Sequence, residues 1–306
     1  MVIHDRGYTR WNGDRSRPVG AIGIILRSGL RRSMATLFRR KLPAIGMLLG
    51  AYGTFVFAFV FLVIKHYMRM NAASFPEAAQ EVLQSEMAEV ISARPDTLYW
   101  YLFRFQLAFV ALACVLLGAP LLAEDRRSNA LELYFSRPVG VARYLLGKLA
   151  IIGTLLAAIT VIPASVLLLF DASMTADQPG ALVSKLILLG RMLLAGSVLL
   201  TLPSLLILAA SSLTQRPRNA AILFIGFILM LELVISEMLF NVFAEPYFHL
   251  LQVTFNVSQV GAWLLGATTE IDAGVPVWLS AVVLAGWVAL LVPLLVRRVR
   301  PVEVVA

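Results

Sequence analysis

Charge is scarce in this sequence. Only 14% of its residues are Asp, Glu, Lys or Arg, 59% are hydrophobic, and the mean hydropathy is +0.83. Soluble domains average about 25% charged residues, so the composition excludes an ordinary water-soluble fold. Cysteine is nearly absent. The single Cys114 lies inside an apolar run, cannot form an internal disulfide and says nothing about compartment. The three histidines, His4, His66 and His249, are far apart in sequence, and none falls in the middle of an apolar run. With no Cys/His cluster, no HExxH and no GxSxG, the chain offers no metal, haem or catalytic site. Gly140 to Gly147-Lys148 has the wrong spacing for a phosphate-binding loop, and Leu149 stands where Ser or Thr would have to be. A chain without that loop does not hydrolyse ATP by itself. No polar stretch is long enough to fold as a separate domain, and no internal repeat is visible.

Long apolar runs are what the sequence has. Six of them, at about 44–65, 101–123, 149–170, 186–210, 220–240 and 276–296, approach the roughly 20 residues that cross a bilayer as a helix. Backbone N–H and C=O groups have no water to bond in lipid, so such runs are helical. Pro120, Pro163, Pro203 and Pro293 fall within or at the end of four of them and are candidate kinks.

The net charge of +8 belongs to the first 42 residues, which hold ten Lys or Arg and two acids. Residues 1–18 are polar and Arg-rich and read as a loose tail, without the apolar core of a signal peptide. Binding of nucleic acid by such a tail is the weaker reading; a membrane surface is the better partner. Residues 19–42 read as an amphipathic helix. Ile22, Leu26, Leu30, Met34, Leu37 and Phe38 recur at spacings of three and four, with Arg27, Arg31, Arg32, Arg39, Arg40 and Lys41 on the polar side. Basic residues also collect in the 124–148 and 211–219 connectors and at the C-terminal end, while the alternate connectors are poor in them. By the positive-inside rule both termini face the cytoplasm. The outward connectors then include an acidic helix at about 76–91. They also include an apolar stretch at 241–275, which reads either as short helices dipping into the outer leaflet or as an interfacial loop anchored by Tyr247, Phe248 and Trp263.

The 124–148 connector is longer than two spans need. Asp125 or Ser128 can cap a short helix, Leu131, Leu133, Tyr134 and Phe135 give it an apolar side, and Arg137-Pro138 ends it. An acid followed by basic residues, a short apolar helix, Ser-Arg-Pro and a Gly-Lys opening a span resembles the loop between the second and third spans of ABC-2-type ABC transporter permeases. The matching residues are Glu124, Arg126, Arg127, Leu131, Leu133, Ser136, Arg137, Pro138, Arg143, Gly147 and Lys148, and with the architecture the likeness covers about 19–296.

The resemblance implies an all-α membrane protein of six transmembrane helices in the ABC-2 exporter architecture, non-catalytic, in the plasma membrane. It implies an elbow helix at 19–42, a transmembrane domain at 43–306, and a coupling element at 124–148 resting on an ATPase subunit that holds the ATP and Mg. The partners implied are two ATPase copies and a second permease subunit, identical or similar; no cofactor is expected in this chain. Glu124, Asp125, Arg126, Arg127, Arg137 and Arg143 are the coupling candidates. Gln106, Glu232 and Ser236 are the candidates for a pathway between two bundles, because second and fifth spans line the cavity in such permeases.

Four ionisable residues fall within spans: Arg104, Arg191, Glu232 and Glu237. A charge there must be paired, hydrated or able to reach the interface. Glu232 lies deepest, so it either pairs with Arg104 or Arg191 or faces a pathway. Two other functions stay open, a mechanical transmitter acting on an external partner and an integral-membrane lipid enzyme. The orientation has a direct test. Cysteines introduced at Gln80 and Gln178 should react with an impermeant external thiol reagent, and those at Asn129 and Pro217 should not; the opposite pattern would invert the topology.

Overall fold

The fourth apolar run folds as one helix of 33 residues, and the other spans are arranged about it. In this computed structural model residues 21–39, 41–71, 95–135, 140–175, 180–267 and 274–299 are described, and among them every regular element is a helix. The first is α1 (Ala21–Arg39), then α2 (Lys41–Met70), α3 (Pro95–Ala113), α4 (Pro120–Arg127), α5 (Ala130–Phe135), α6 (Val141–Ile159) and α7 (Val161–Met174). They are followed by α8 (Ala181–Leu213), α9 (Pro217–Leu229), α10 (Glu237–Phe243), α11 (Val253–Leu265) and α12 (Val277–Val299). Six helical stretches are long and apolar enough to cross a membrane: Lys41–Met68, Thr97–Arg127, Val141–Met174, Ala181–Leu213, Pro217–Phe243 and Val277–Val299. This is a multi-pass, all-α membrane protein.

Burial ranks the spans. In α8, 72% of the apolar window is buried, whereas the fifth span has 11% and the sixth 17%. α8 packs against the second, third, fifth and sixth spans and against α11. The weakly buried spans lie at the periphery, with apolar faces free for lipid or another chain.

Only two of the four prolines interrupt their helices. Pro120 opens α4 directly after a π-helical turn, Cys114–Gly118, in the second span. Pro163 follows a break at Thr160, whose φ of −124° and ψ of −74° separate α6 from α7. Pro203 and Pro293 sit inside continuous helices. Each removes one hydrogen bond to the carbonyl four residues earlier, which a helix held on several sides tolerates.

α1 lies against the start of the third span rather than only on lipid. Gly29 and Gly147 permit it. A Cβ on Gly147 would stand 2.8 Å from Ile25 Cγ2, and one on Gly29 would stand 2.1 Å from Ile151 Cδ1. Small residues at such a crossing let two helices approach closely. The buried face of α1 is therefore built on Ile25 and Ser33, with Leu26, Leu30 and Leu37 beside it. Met34, assigned to the apolar stripe from its spacing, is instead exposed, as is Ile24.

The segment after the fifth span is largely helical as far as residue 267. A 3-10 turn, Pro246–Leu251, leads into α11, which is covered by α3, α8 and α12. Two buried amide side chains on it donate internally, while Asn256 Oδ1 has no partner among the described residues. Asn256 Nδ2 donates to the Leu250 and Gln252 carbonyls at 2.7 and 2.6 Å, and Gln259 Nε2 donates to the Val275 carbonyl at 2.6 Å. Ser280 Oγ donates to Gln259 Oε1.

At the same end, Lys185 of α8 pairs with Asp171 of α7, and both side chains are largely buried. The count of basic residues in the connectors missed this lysine, because Lys185 falls just at the edge of its apolar run. The tail 1–18, the expected acidic helix at 76–91 and the Ser136-Arg137-Pro138 turn lie outside the described residues.

Candidate functional site

The polar chemistry at the basic end of the bundle converges on one carboxylate. α4 completes the second span, so Glu124 to Arg127 form its last helical turn. The third span begins at Val141, which places Arg143, Tyr144 and Lys148 in its first two turns. The connector proper is thereby shortened to α5 and its flanks. Ser128 closes α4, donating to the Glu124 carbonyl at 2.8 Å, and does not cap α5.

Asp125 is turned inward and is 2% exposed. Lys148 Nζ lies 2.6 Å from Asp125 Oδ2 and donates a second bond, at 2.9 Å, to the Leu121 carbonyl. Tyr144 Oη donates to Asp125 Oδ2 at 2.6 Å. From α1, Arg32 Nη1 approaches Asp125 Oδ1 at 3.5 Å, its side chain mostly in solvent. The Tyr134 ring lies tilted against that of Tyr144, with centroids 5.1 Å apart. Burial first and the Asp125 carboxylate second raise the Tyr134 phenol above its usual 10.0, against a lowering by Arg32. A buried charge is tolerated only when paired and hydrogen-bonded. Asp125 meets that condition with groups from α1, α4 and α6, so it binds the three together.

A serine closes the break in the second span above this cluster. Ser211 of α8 accepts from the Leu122 and Ala123 amides at 3.1 and 2.9 Å, and donates to the Ala119 carbonyl at 2.7 Å. These are backbone groups left without regular partners where the π turn meets Pro120. π turns recur at functional sites, and this one stands directly above the connector.

At the opposite end the fifth span grips α11. Its second π-helical turn, Met230–Ser236, carries Glu232, whose Oε1 accepts the Thr254 amide at 2.7 Å and whose Oε2 accepts the Thr254 hydroxyl. Thr254 is in the first turn of α11, so Glu232 caps that helix as an anion at its positive end. Ser236 Oγ donates to the Phe248 carbonyl at 2.9 Å, and Gln252 Nε2 donates to Glu237 Oε1 at 3.1 Å.

Residues 51–187 match the family model described as ABC-2 membrane transporter related, just under half of the chain. Over that segment the chain is similar to ABC-2 membrane transporter related proteins. No curated protein matches it. The matched segment holds Asp125, Tyr144 and Lys148; Arg32, Ser211 and Glu232 lie outside it.

The candidate coupling residues separate by exposure. Glu124, Arg127 and Arg143 are exposed at the basic end. Arg126 is half-buried, with Nη1 enclosed and without a partner among the described residues. Asp125 is spent on the buried cluster, and Arg137 lies outside the described residues. The candidate pathway residues are not brought together. Gln106 is buried, its Nε2 donating at 2.8 Å to the Ala51 carbonyl and at 2.7 Å to Thr54 Oγ1 of α2. Ser236 is buried as well, while Glu232 is partly open. The pairing of Glu232 with Arg104 or Arg191 is not the one made; Arg104 lies over the Trp100 ring at 5.4 Å, and the nearer Thr254 amide takes the carboxylate.

The sequence pattern marks Lys148 and Tyr144 no more than their neighbours, places Arg32 only on the polar side of its helix, and does not mark Ser211. A signal for the first two existed: Tyr144 and Lys148 are four apart and share a helix face. Ser211 had none, since serine is common in transmembrane helices. The Glu232 cap predicts that Glu232→Gln destabilises the protein by about 1–2 kcal/mol in thermal unfolding, and that neutralising Arg104 or Arg191 does not restore it. Rescue by either neutralisation would show that a charge pair, and not the cap, holds Glu232.

Proposed function

We propose that this chain is the transmembrane permease subunit of an ATP-driven ABC exporter, working with a separately encoded ATPase that binds ATP and Mg. The likeness of residues 51–187 to the ABC-2 membrane transporter related model supports a membrane transporter role and a non-catalytic one. The observation that carries the coupling is the Asp125 cluster. It makes α1, α4 and α6 one body at the basic end, with Glu124, Arg127 and Arg143 on the exposed surface. A partner pressing on that surface moves the roots of the second and third spans together.

In this reading the basic end is cytoplasmic, in the plasma membrane, with both termini on that side. ATP closes the ATPase pair, the cluster carries the motion into the second span, and the break at Pro120 and the Cys114–Gly118 turn lets that span bend. Two copies, or one copy and a similar subunit, would place their peripheral spans together; the low burial of the fifth span supports this.

A second reading is favoured by one observation. Gln106, Glu232 and Ser236 are engaged in internal hydrogen bonds, and two of them hold the 246–254 segment. A span so tied to α11 suits mechanical transmission to an external partner as well as transport. ATPase activity stimulated by a substrate separates the two.

Glu124→Lys should release or uncouple the ATPase while leaving the permease folded in the membrane, because losing one partner of a desolvated charge pair costs about 2–5 kcal/mol. Co-purification and ATPase assay read this directly. A complex that assembles and turns over normally with Glu124→Lys and Arg127→Ala together would refute the interface.

A further inference from the structure

Apolar grooves flank α12, and the groove that also touches α6 ends among arginines. It lies between α6, α8 and α12, has a volume of about 240 Å³, and is walled by aliphatic side chains including Leu145, Leu146, Leu149, Leu205, Leu208 and Leu295. All three helices reach the basic end of the bundle here: α6 begins at Val141, α8 ends at Leu213 and α12 ends at Val299. Arg143 precedes Leu146 by three residues and Arg298 follows Leu295 by three, so each lies on the face of its wall residue, one turn nearer the basic end. Both are exposed, as is Arg297, and none has an ion pair among the described residues.

A second groove, of about 290 Å³, between α8, α11 and α12 provides the contrast. Its walls include Val198, Leu202, Val260, Leu284 and Val288, and no Lys or Arg lies within four residues of any wall position. Shape and greasiness are shared; the cations are not.

We propose that the groove between α6, α8 and α12 holds an acyl chain of one anionic phospholipid, whose phosphate sits on Arg143 and Arg298. Aliphatic walls take the chain at no polar cost, and basic residues at the mouth of an intramembrane groove attract anionic headgroups. Arginine suits the phosphate because its planar fork donates two parallel bonds. The two arginines come from different spans, so the lipid would clamp α12 to α6, the helix that supplies Tyr144 and Lys148 to the Asp125 cluster. This inference rests on the membrane placement of the three helices and does not depend on export.

The test is lipid titration of the full chain in detergent by native mass spectrometry, using phosphatidylglycerol and phosphatidylcholine as probes. One phosphatidylglycerol should be retained in preference to phosphatidylcholine. R143Q with R298Q should weaken it roughly 30-fold and leave phosphatidylcholine unchanged. R216Q with R218Q, which removes the same charge at the same end, should keep the preference. Leu146→Trp, at a half-exposed wall position, should weaken both lipids by filling the groove. Equal binding of the two lipids, equal loss in both arginine variants, unchanged binding in Leu146→Trp, or a bound mass that is a polypeptide would overturn the proposal.

Discussion

The basic end of this protein depends on keeping one buried negative charge satisfied. Asp125 is 2% exposed, so bulk solvent can share little of its charge. Lys148 and Tyr144 must therefore stay where they are, and Arg32 adds a longer-range tie from α1. Removing one partner of a buried pair costs about 3–5 kcal/mol, a large share of the few kcal/mol that separate folded from unfolded states. Within the membrane there is little hydrophobic drive between helices, since lipid tails are as apolar as leucine. The pair therefore carries more of the specificity of this packing than it would in a water-soluble bundle. The glycine crossing of α1 on α6 serves the same assembly by letting Arg32 approach.

Rigidity at that point contrasts with the second span just above it. There the helix widens at Cys114–Gly118, returns to α-helix at Pro120, and has backbone groups on both sides of that proline bonded by a single hydroxyl from α8. A stiff root below a locally irregular span is an arrangement in which displacement of the root changes the tilt of the span. The fifth span repeats the pattern in reverse: its π turn lies toward the far end, and there Glu232 and Ser236 tie it to the 246–254 segment. Motion in either span therefore reaches a helix that is not itself a span.

The architecture was legible because a bilayer leaves so few options. Six apolar runs gave six helices, each longer by a few residues at one or both ends, and the apolar 241–275 stretch gave a short buried helix, α11. Two of the four prolines proved silent, since proline in a packed span removes one bond without forcing a break. The α1 stripe holds at Leu26, Leu30 and Leu37, fails at Met34, and leaves out Ile25 and Ser33. Hydrophobic spacing cannot tell a face that meets lipid from a face that meets protein when both are apolar, and Gly29 was the better marker. The site residues were harder still. Asp125 was read as an interface charge because it sits among charges in sequence; its inward turn follows from the second span continuing to Arg127, which spacing alone did not reveal. Glu232 was expected to seek a cation, but an amide at a helix start satisfies a carboxylate equally well and leaves no mark in the sequence.

The central claim is that Asp125 and Lys148 fasten α1 and the connector into one body. Hydrogen–deuterium exchange on the purified protein tests it, comparing wild type, Asp125→Asn, Lys148→Met and the double variant. The account predicts that either single change speeds exchange in both α1 and the 120–135 segment together, and that the double variant, which buries no unpaired charge, recovers stability but not the linked protection of α1. Loss of protection confined to 120–135, with α1 unaffected by either single change, would contradict it.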